Sequence, residues 1–423
     1  MIKIAIYLGP LAGKMIDARK VENGNPGVGG TQYCMLELAH YLNQQMKYKV
    51  SILANREYLL ESGIDYVKTS GDDVLCETVQ NIQSDILILG QFRNSKLEQD
   101  IAQLPCKVII WSHNYLYADF CNFIKNTDSV KANVFVGKQQ YDRYIDHDVI
   151  KKSTYIYNMF LDNSQCVLRE NDSKTVIYMG ALVEGKGFAE LCSIWPDILR
   201  EVPDAQLLVM GSGSLYGNAK MGSYGLASQD YEDKFIKYII DENRKLIPSV
   251  HFLGVVGDGK TEIFRKASVG VVNPSGRTET FGMGVVEMAE AKLPVVTIGK
   301  NGYFDTVEHN VTGLLGKNLT DIRNCIVLLL KDASLNAKLG SNAKHSLFAY
   351  HPQTIGSMWE DLLLQVYEGH YIPNYLGASK PLYNNNKWVR VFLRFIRMNL
   401  HLKFIPALID LESFYVKMRQ AKK

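Results

Sequence analysis

The sequence predicts an α/β chain of two parallel-sheet domains, on three observations. At 423 residues the chain exceeds the reach of one hydrophobic core, which stops growing near 250–300 residues. Short apolar runs recur in the first half, at Ile2–Leu8, Val50–Ala54, Ile86–Leu89, Val108–Trp111, Val134–Val136 and Tyr155–Tyr157, with helical patterns between several of them. That alternation marks a parallel sheet covered by helices. A second series follows at Val176–Met179, Leu207–Met210, Val250–Leu253, Val269–Val272 and Val295–Ile298, after the polar, poorly periodic stretch Asp162–Lys174, which reads as a linker. Two such domains leave a cleft between their carboxyl edges, a favoured place for a ligand.

Composition sets the class. With 47% hydrophobic and 22% charged residues the chain is an ordinary globular protein, and a net charge of +3 does not suggest nucleic-acid binding. Seven cysteines are scattered without a C-x-x-C pair, as expected of reduced thiols in a cytosolic protein. Met1-Ile-Lys-Ile-Ala-Ile-Tyr-Leu8 is too short for a signal-peptide core and runs into the first strand, and no run of 18 apolar residues exists.

In the first domain a long loop, Gly9–Val28, precedes Gly29-Gly30-Thr31-Gln32, which opens a helix to about Gln45. Glycines at a helix start let backbone N–H groups and the helix dipole approach an anion, although turn chemistry alone also explains them. The glycines lie some twenty residues beyond the strand, so this is not the dinucleotide fingerprint, and a dehydrogenase is disfavoured. His113 ends the buried run Val108–Ser112, as a strand cap or as a functional donor.

The second domain carries the most informative stretch. Val269–Val272 reads as a buried strand, Asn273–Arg277 as a turn, Gly282–Lys292 as a helix and Pro294–Ile298 as the next strand, together one βαβ unit. Glu279 sits in its loop and Glu287 in its helix, among Val285, Val286, Met288 and Ala289. A buried carboxylate needs donors, and vicinal sugar hydroxyls supply two. The alternative makes Glu279 a first-turn helix charge and Glu287 an exposed helix residue. Gly211-Ser-Gly213 ends another strand, and the glycine- and serine-rich Ser214–Asp230 reads as a mobile loop.

Glu279-Thr-Phe-Gly followed by Glu287 resembles the E-x7-E signature of family 4 retaining glycosyltransferases with the GT-B fold, as do Leu293-Pro-Val-Val and Glu308-His-Asn-Val-Thr-Gly-Leu-Leu315 in the same order. Tyr178-Met-Gly180-Ala-Leu-Val-Glu-Gly-Lys186-Gly187 resembles the family's G-R-L-x-x-x-K-G, but Ala181 stands where the family has arginine. Ile156-Tyr-Asn158 resembles the I-x-N-G before the linker, with Met159 in place of glycine.

This resemblance covers most of residues 1–370. It implies a Rossmann-like N-terminal domain on the acceptor side (1–161), a linker (162–174), a Rossmann-like donor domain (175–350) and a helix returning to the N-terminal domain (351–380). It also implies transfer of a hexosyl or N-acetylhexosaminyl unit, with retention, from a UDP-sugar, or secondly a GDP-sugar, to a saccharide or lipid-linked saccharide. The assembly of a polysaccharide or other glycoconjugate follows as the setting. On the same basis Gly29, Gly30, Gly180, Lys186, Gly211, Phe281, Gly282, Met283 and Glu287 bind the donor, with Glu287 on the ribose. Glu279 holds the transferred sugar, His113 donates a hydrogen bond beside it, and Lys186 faces the diphosphate. No cofactor and no metal are expected. Arg277 or Lys14 is a candidate to replace the missing arginine. The rival readings are a nucleotide-sugar epimerase of GT-B fold and a non-catalytic glycosyltransferase-like partner subunit.

The tail, 381–423, lies outside the matched region and carries nine Lys/Arg against two Asp/Glu. Trp388, Phe392, Phe395, Ile396 and Leu400 recur at helical spacing, with Arg390, Arg394 and Arg397 between them. It reads as a basic amphipathic helix, either peripheral on an anionic membrane at its cytoplasmic face or packed on the N-terminal domain with its arginines in water.

Overall fold

The β-branched runs form the expected strands. The computed structural model describes residues 1–11, 13–161, 173–213, 220–257 and 259–421. The chain divides into two units, 1–161 with 352–423, and 162–351.

In the first unit seven parallel strands run β1 (Ile2–Tyr7), β2 (Tyr48–Ala54), β3 (Ile64–Lys68), β4 (Ile86–Leu89), β5 (Lys107–Ser112), β6 (Val130–Phe135) and β7 (Ser153–Tyr155). Their order is β3-β2-β1-β4-β5-β6-β7. The strand order reverses at β1, which pairs with β2 on one side and β4 on the other, the topological switch where open α/β sheets bind ligands. β4 is wholly apolar and buried, and so is the run Val108–Trp111 of β5, as a sheet covered on both faces requires. β3 escapes the sequence reading because it is an edge strand of sequence Ile-Asp-Tyr-Val-Lys, polar and half-exposed. The loop before the first helix is tied down. Ile16–Asp17 pairs with Tyr58–Leu59, and the Asn25 side chain accepts from the Gly27 and Val28 amides.

The helix Pro352–Glu368 belongs to this unit. Tyr41 on the helix Gly30–Gln44 donates to Glu360 at 2.9 Å, and the Trp359 ring lies 4.6 Å from Trp111. Gly356 allows that contact, since a Cβ there would collide with the Tyr41 ring.

The tail corrects the sequence reading. It packs on the first unit, but three of its cations point inward rather than into water. Lys387 and Arg390 are fully buried and Arg397 nearly so, facing Asp142, Asp146 and Asp148 at 3.4 Å each. Arg390 also meets Glu412 at 2.6 Å. The aromatic residues Trp388, Phe392 and Phe395 are the exposed ones.

The second unit holds six parallel strands, β8 (Thr175–Met179), β9 (Gln206–Met210), β10 (Val250–Gly254), β11 (Val269–Val271), β12 (Val295–Ile298) and β13 (Gly313–Gly316), in the order β10-β9-β8-β11-β12-β13. β13 is a four-residue strand between glycines, too short for periodicity to reveal. The expected linker lies outside the described residues except for 173–174. Of the stretch read as mobile, 214–219 also lie outside them. The rest is anchored: the buried Glu232 carboxylate accepts from the amides of Tyr224, Leu226 and Ala227. Six cysteines are free thiols; Cys166 falls outside the described residues.

Candidate functional site

The carboxyl ends of β8, β9, β10 and β11 surround a cavity of about 320 Å³ in the second unit, at the point where β8 has β9 on one side and β11 on the other. Gly180 and Ala181 enter it from β8, Gly211 from β9, Val255 and Val256 from β10, and Val272 and Asn273 from β11. Gly211 allows the edge to close, since a Cβ there would fall 1.9 Å from the Gly180 carbonyl oxygen, and its φ is 149°. The loop beyond β11 is strained, for Thr278 holds φ 61°, costly for a β-branched residue.

The helix predicted over Gly282–Lys292 spans Met283–Glu290. It starts after Gly282, at φ 96° beside the Tyr303 ring, and Gly282, Met283 and Gly284 line the cavity. A helix N-terminus therefore faces the cavity, with amides and a positive dipole end suited to an anion.

Two lysine–glutamate pairs share this space. Lys186 Nζ lies 3.1 Å from Glu279 Oε2, and Lys260 Nζ 2.7 Å from Glu287 Oε2. Each side chain keeps between 16 and 31% exposure, so solvent or a ligand reaches all four. Tyr303 donates to Glu279 at 3.4 Å, and burial first, then that carboxylate, pushes the phenol far above its ordinary pKa. It remains a donor at neutral pH. Two ammonium groups, a helix N-terminus and two carboxylates thus converge. The first three attract phosphate oxygens, and the carboxylates accept from hydroxyls.

Of the residues expected here, Gly180, Lys186, Gly211, Glu279, Gly282, Met283 and Glu287 line this cavity together. Phe281 does not. Its ring is buried 5.4 Å from Tyr350, so it supports the helix start from the core. Arg277 is also turned elsewhere, paired with Glu190 at 2.9 Å and Glu184 at 3.6 Å. The second cation in the cavity is Lys260, which sequence reading missed. Its signal is a lysine opening a helix just after glycine beyond a strand, Gly257-Asp258-Gly259-Lys260. Tyr303 carries no such signal.

Gly29, Gly30 and His113 lie in the first unit, on the carboxyl edge of its sheet. The helix they open is fastened to the end of β1 by Gln32, which donates to the Leu8 carbonyl at 3.2 Å. Gly90, beyond β4, sits near Thr31 and the Trp111 carbonyl, which brings that helix start beside the end of β5. His113 follows β5, its ring 4.7 Å from Trp111 and its Nε2 shut from solvent although the residue keeps some exposed surface. Burial lowers its pKa to about 3, so the imidazole is neutral.

Residues 162–346 match the family of glycosyl transferases group 1. The match contains every lining residue of the cavity in the second unit. An uncharacterized glycosyltransferase of Haemophilus influenzae is 25% identical over 338 residues, 75% of this chain and 87% of that one. The capsular polysaccharide biosynthesis glycosyltransferase CapM of Staphylococcus aureus is 25% identical over 194 residues, so the chain spans under half (45%) of that relative's length. Among solved structures, HepE of Anabaena in complex with UDP and glucose superposes with a TM-score of 0.63 over 86% of this chain and all of that one, at 16% identity. That likeness shows the fold: two Rossmann-like domains of the GT-B kind.

Proposed function

We propose that the protein is a glycosyltransferase whose second unit binds a nucleoside diphosphate sugar in the cavity of Lys186, Lys260, Glu279 and Glu287. The observation that carries the reading is the pairing of two lysines with two carboxylates at a helix N-terminus, inside the region that matches glycosyl transferases group 1. A diphosphate brings negative charge to Lys186 and the amides of Met283 and Gly284, and more charge develops there as the sugar leaves. Glu279 then accepts from hydroxyls of the transferred sugar, and Glu287, oriented by Lys260, from the ribose. Gly29, Gly30 and His113 are assigned to the sugar and acceptor side on the family resemblance.

The reaction we assign retains the anomeric configuration. The bond from the anomeric carbon to the phosphate oxygen breaks, the acceptor oxygen bonds that carbon on the same face, and the acceptor's proton passes to the departing phosphate. In this reading the chain's own cations and amides neutralise the leaving group, without a required metal. UDP is the favoured nucleotide because HepE binds it. The acceptor class is a saccharide or lipid-linked saccharide of glycoconjugate assembly, in keeping with CapM.

Calorimetry with UDP and GDP, alongside slow hydrolysis of a panel of their sugars, tests the reading. One nucleotide should bind and its sugar should be hydrolysed, with both effects lost in Lys186→Ala. Binding without hydrolysis or transfer would instead favour the non-catalytic subunit, a reading kept in play by Ala181, which lines the cavity where the family has arginine. Binding of neither nucleotide would end both.

A further inference from the structure

The first unit contains a separate cavity of about 280 Å³ with a cationic lining, in which Lys151, Arg394, His401 and Lys403 meet beside Tyr375. None of its lining residues is acidic. Arg394 is held rigidly. Its guanidinium carbon lies 3.5 Å from the centre of the Tyr375 ring, and one nitrogen donates to the Ile145 carbonyl at 2.9 Å. Lys151 leans on Asp148 at 2.7 Å. Among the described residues no carboxylate pairs with Arg394, His401 or Lys403, because Asp142, Asp146 and Asp148 are engaged by Lys387, Arg390 and Arg397. The tail therefore commits three of its cations to buried carboxylates and sets two more, Arg394 and Lys403, at a cavity where among the described residues no carboxylate pairs with them. Like charges so placed repel one another, and an anion relieves the repulsion.

The same stretch of chain exposes large apolar side chains. Phe395, Leu400, Leu402 and Phe404 are all more than a third exposed, and Phe404 is 83% exposed. Phe392 and Trp388, one and two turns before Phe395, are exposed by more than half. Aromatic and aliphatic groups interleaved with cations are costly in water and match the chemistry of an anionic bilayer interface.

We propose that this cavity binds the phosphate of an anionic lipid head group, while the flanking side chains enter the bilayer interface. The inference does not rest on the nucleotide reading, since its residues all lie in the other unit.

Flotation of the full chain with phosphatidylglycerol-containing vesicles, against vesicles of phosphatidylcholine alone, tests it. The protein should float with the anionic vesicles only, and salt should release it, because exposed charges are screened within about 10 Å at 0.1 M. Each surface cation contributes roughly fivefold to such binding, so R394Q/K403Q should bind about thirtyfold more weakly. Since R394Q also loses the bond to Ile145, K403E at an exposed position gives a second reading and should weaken binding at least fivefold. Absence of flotation, equal binding to neutral vesicles, or wild-type binding by both variants would overturn the proposal. Glycerol phosphate saturating the cavity of a protein that ignores vesicles would mark a site for a free phosphate ester, and would equally overturn it.

Discussion

Glu279→Gln should move two affinities in opposite directions. Glu279 Oε2 holds Lys186 at 3.1 Å, with side-chain exposures of 16% and 30%. Coulomb's law at an effective dielectric of about 20 gives a gross attraction of roughly 5 kcal/mol at that distance. Partial exposure and screening reduce the net value of such a pair to about 1 kcal/mol. A diphosphate must compete with Glu279 for the ammonium group, so removing the carboxylate charge should tighten UDP about fivefold. The sugar experiences the reverse. Losing a charged acceptor for its hydroxyls costs about 1.5–3 kcal/mol, which outweighs the gain of about 1 kcal/mol, so a UDP-sugar should bind roughly two- to thirtyfold more weakly. Calorimetry on the two ligands with wild-type and variant protein gives the ratio directly. Equal changes for UDP and UDP-sugar, or no change for either, would refute the placement of Glu279 beside the sugar.

Three more outcomes follow. Lys260→Met should weaken UDP roughly tenfold by freeing Glu287, whereas Arg277→Ala, whose partners Glu184 and Glu190 lie outside the cavity lining, should change it by less than about twofold; a reversed order in the same titrations would make Arg277 the second cation. Asp146→Ala leaves the buried Arg390 with Glu412 as its one carboxylate among the described residues and should cost about 3 kcal/mol, or about 6–12 °C in Tm, with any loss of vesicle binding secondary to unfolding by circular dichroism. The neutral His113 makes stability pH-dependent: its folded pKa of about 3 lies below the ordinary 6.5, so its contribution is complete above pH 6.5 and falls as pH drops towards 3. Urea titrations at a series of pH values should therefore give a shallower acid slope for His113→Asn than for wild type.

Much of this organisation is legible in the residues. Runs such as Ile86–Leu89 and Val295–Ile298 match their strands to the residue, because a strand buried on both faces needs a continuous apolar run and little else fits one. Of the residues that the family resemblance singles out in the second unit, Gly180, Lys186, Gly211, Glu279, Gly282, Met283 and Glu287 share one cavity. What the sequence hides is partnership at a distance. Lys260 reads as an ordinary helix-opening lysine until the fold sets it 2.7 Å from Glu287. Phe281 reads as part of a binding loop, yet its bulk is used inside the core. The tail is the clearest case. An aromatic and basic helix has two sides, and composition favours burying the aromatic one. Asp142, Asp146 and Asp148, some 245 residues earlier, reverse the choice by offering buried partners to Lys387, Arg390 and Arg397. No local window contains both halves of that arrangement.

The order of the two units along the chain has a consequence for biosynthesis. Residues 162–351 form one contiguous unit, complete as soon as they leave the ribosome, whereas the unit begun by Met1 is finished only by residues 352–423. Domains tend to fold in the order they are made, but here the first stretch to emerge must wait for residues 352–423 to bring Arg390 to Asp146. Loss of residues 352–423 would therefore damage the unit that residues 1–161 begin and leave the unit of 162–351 intact.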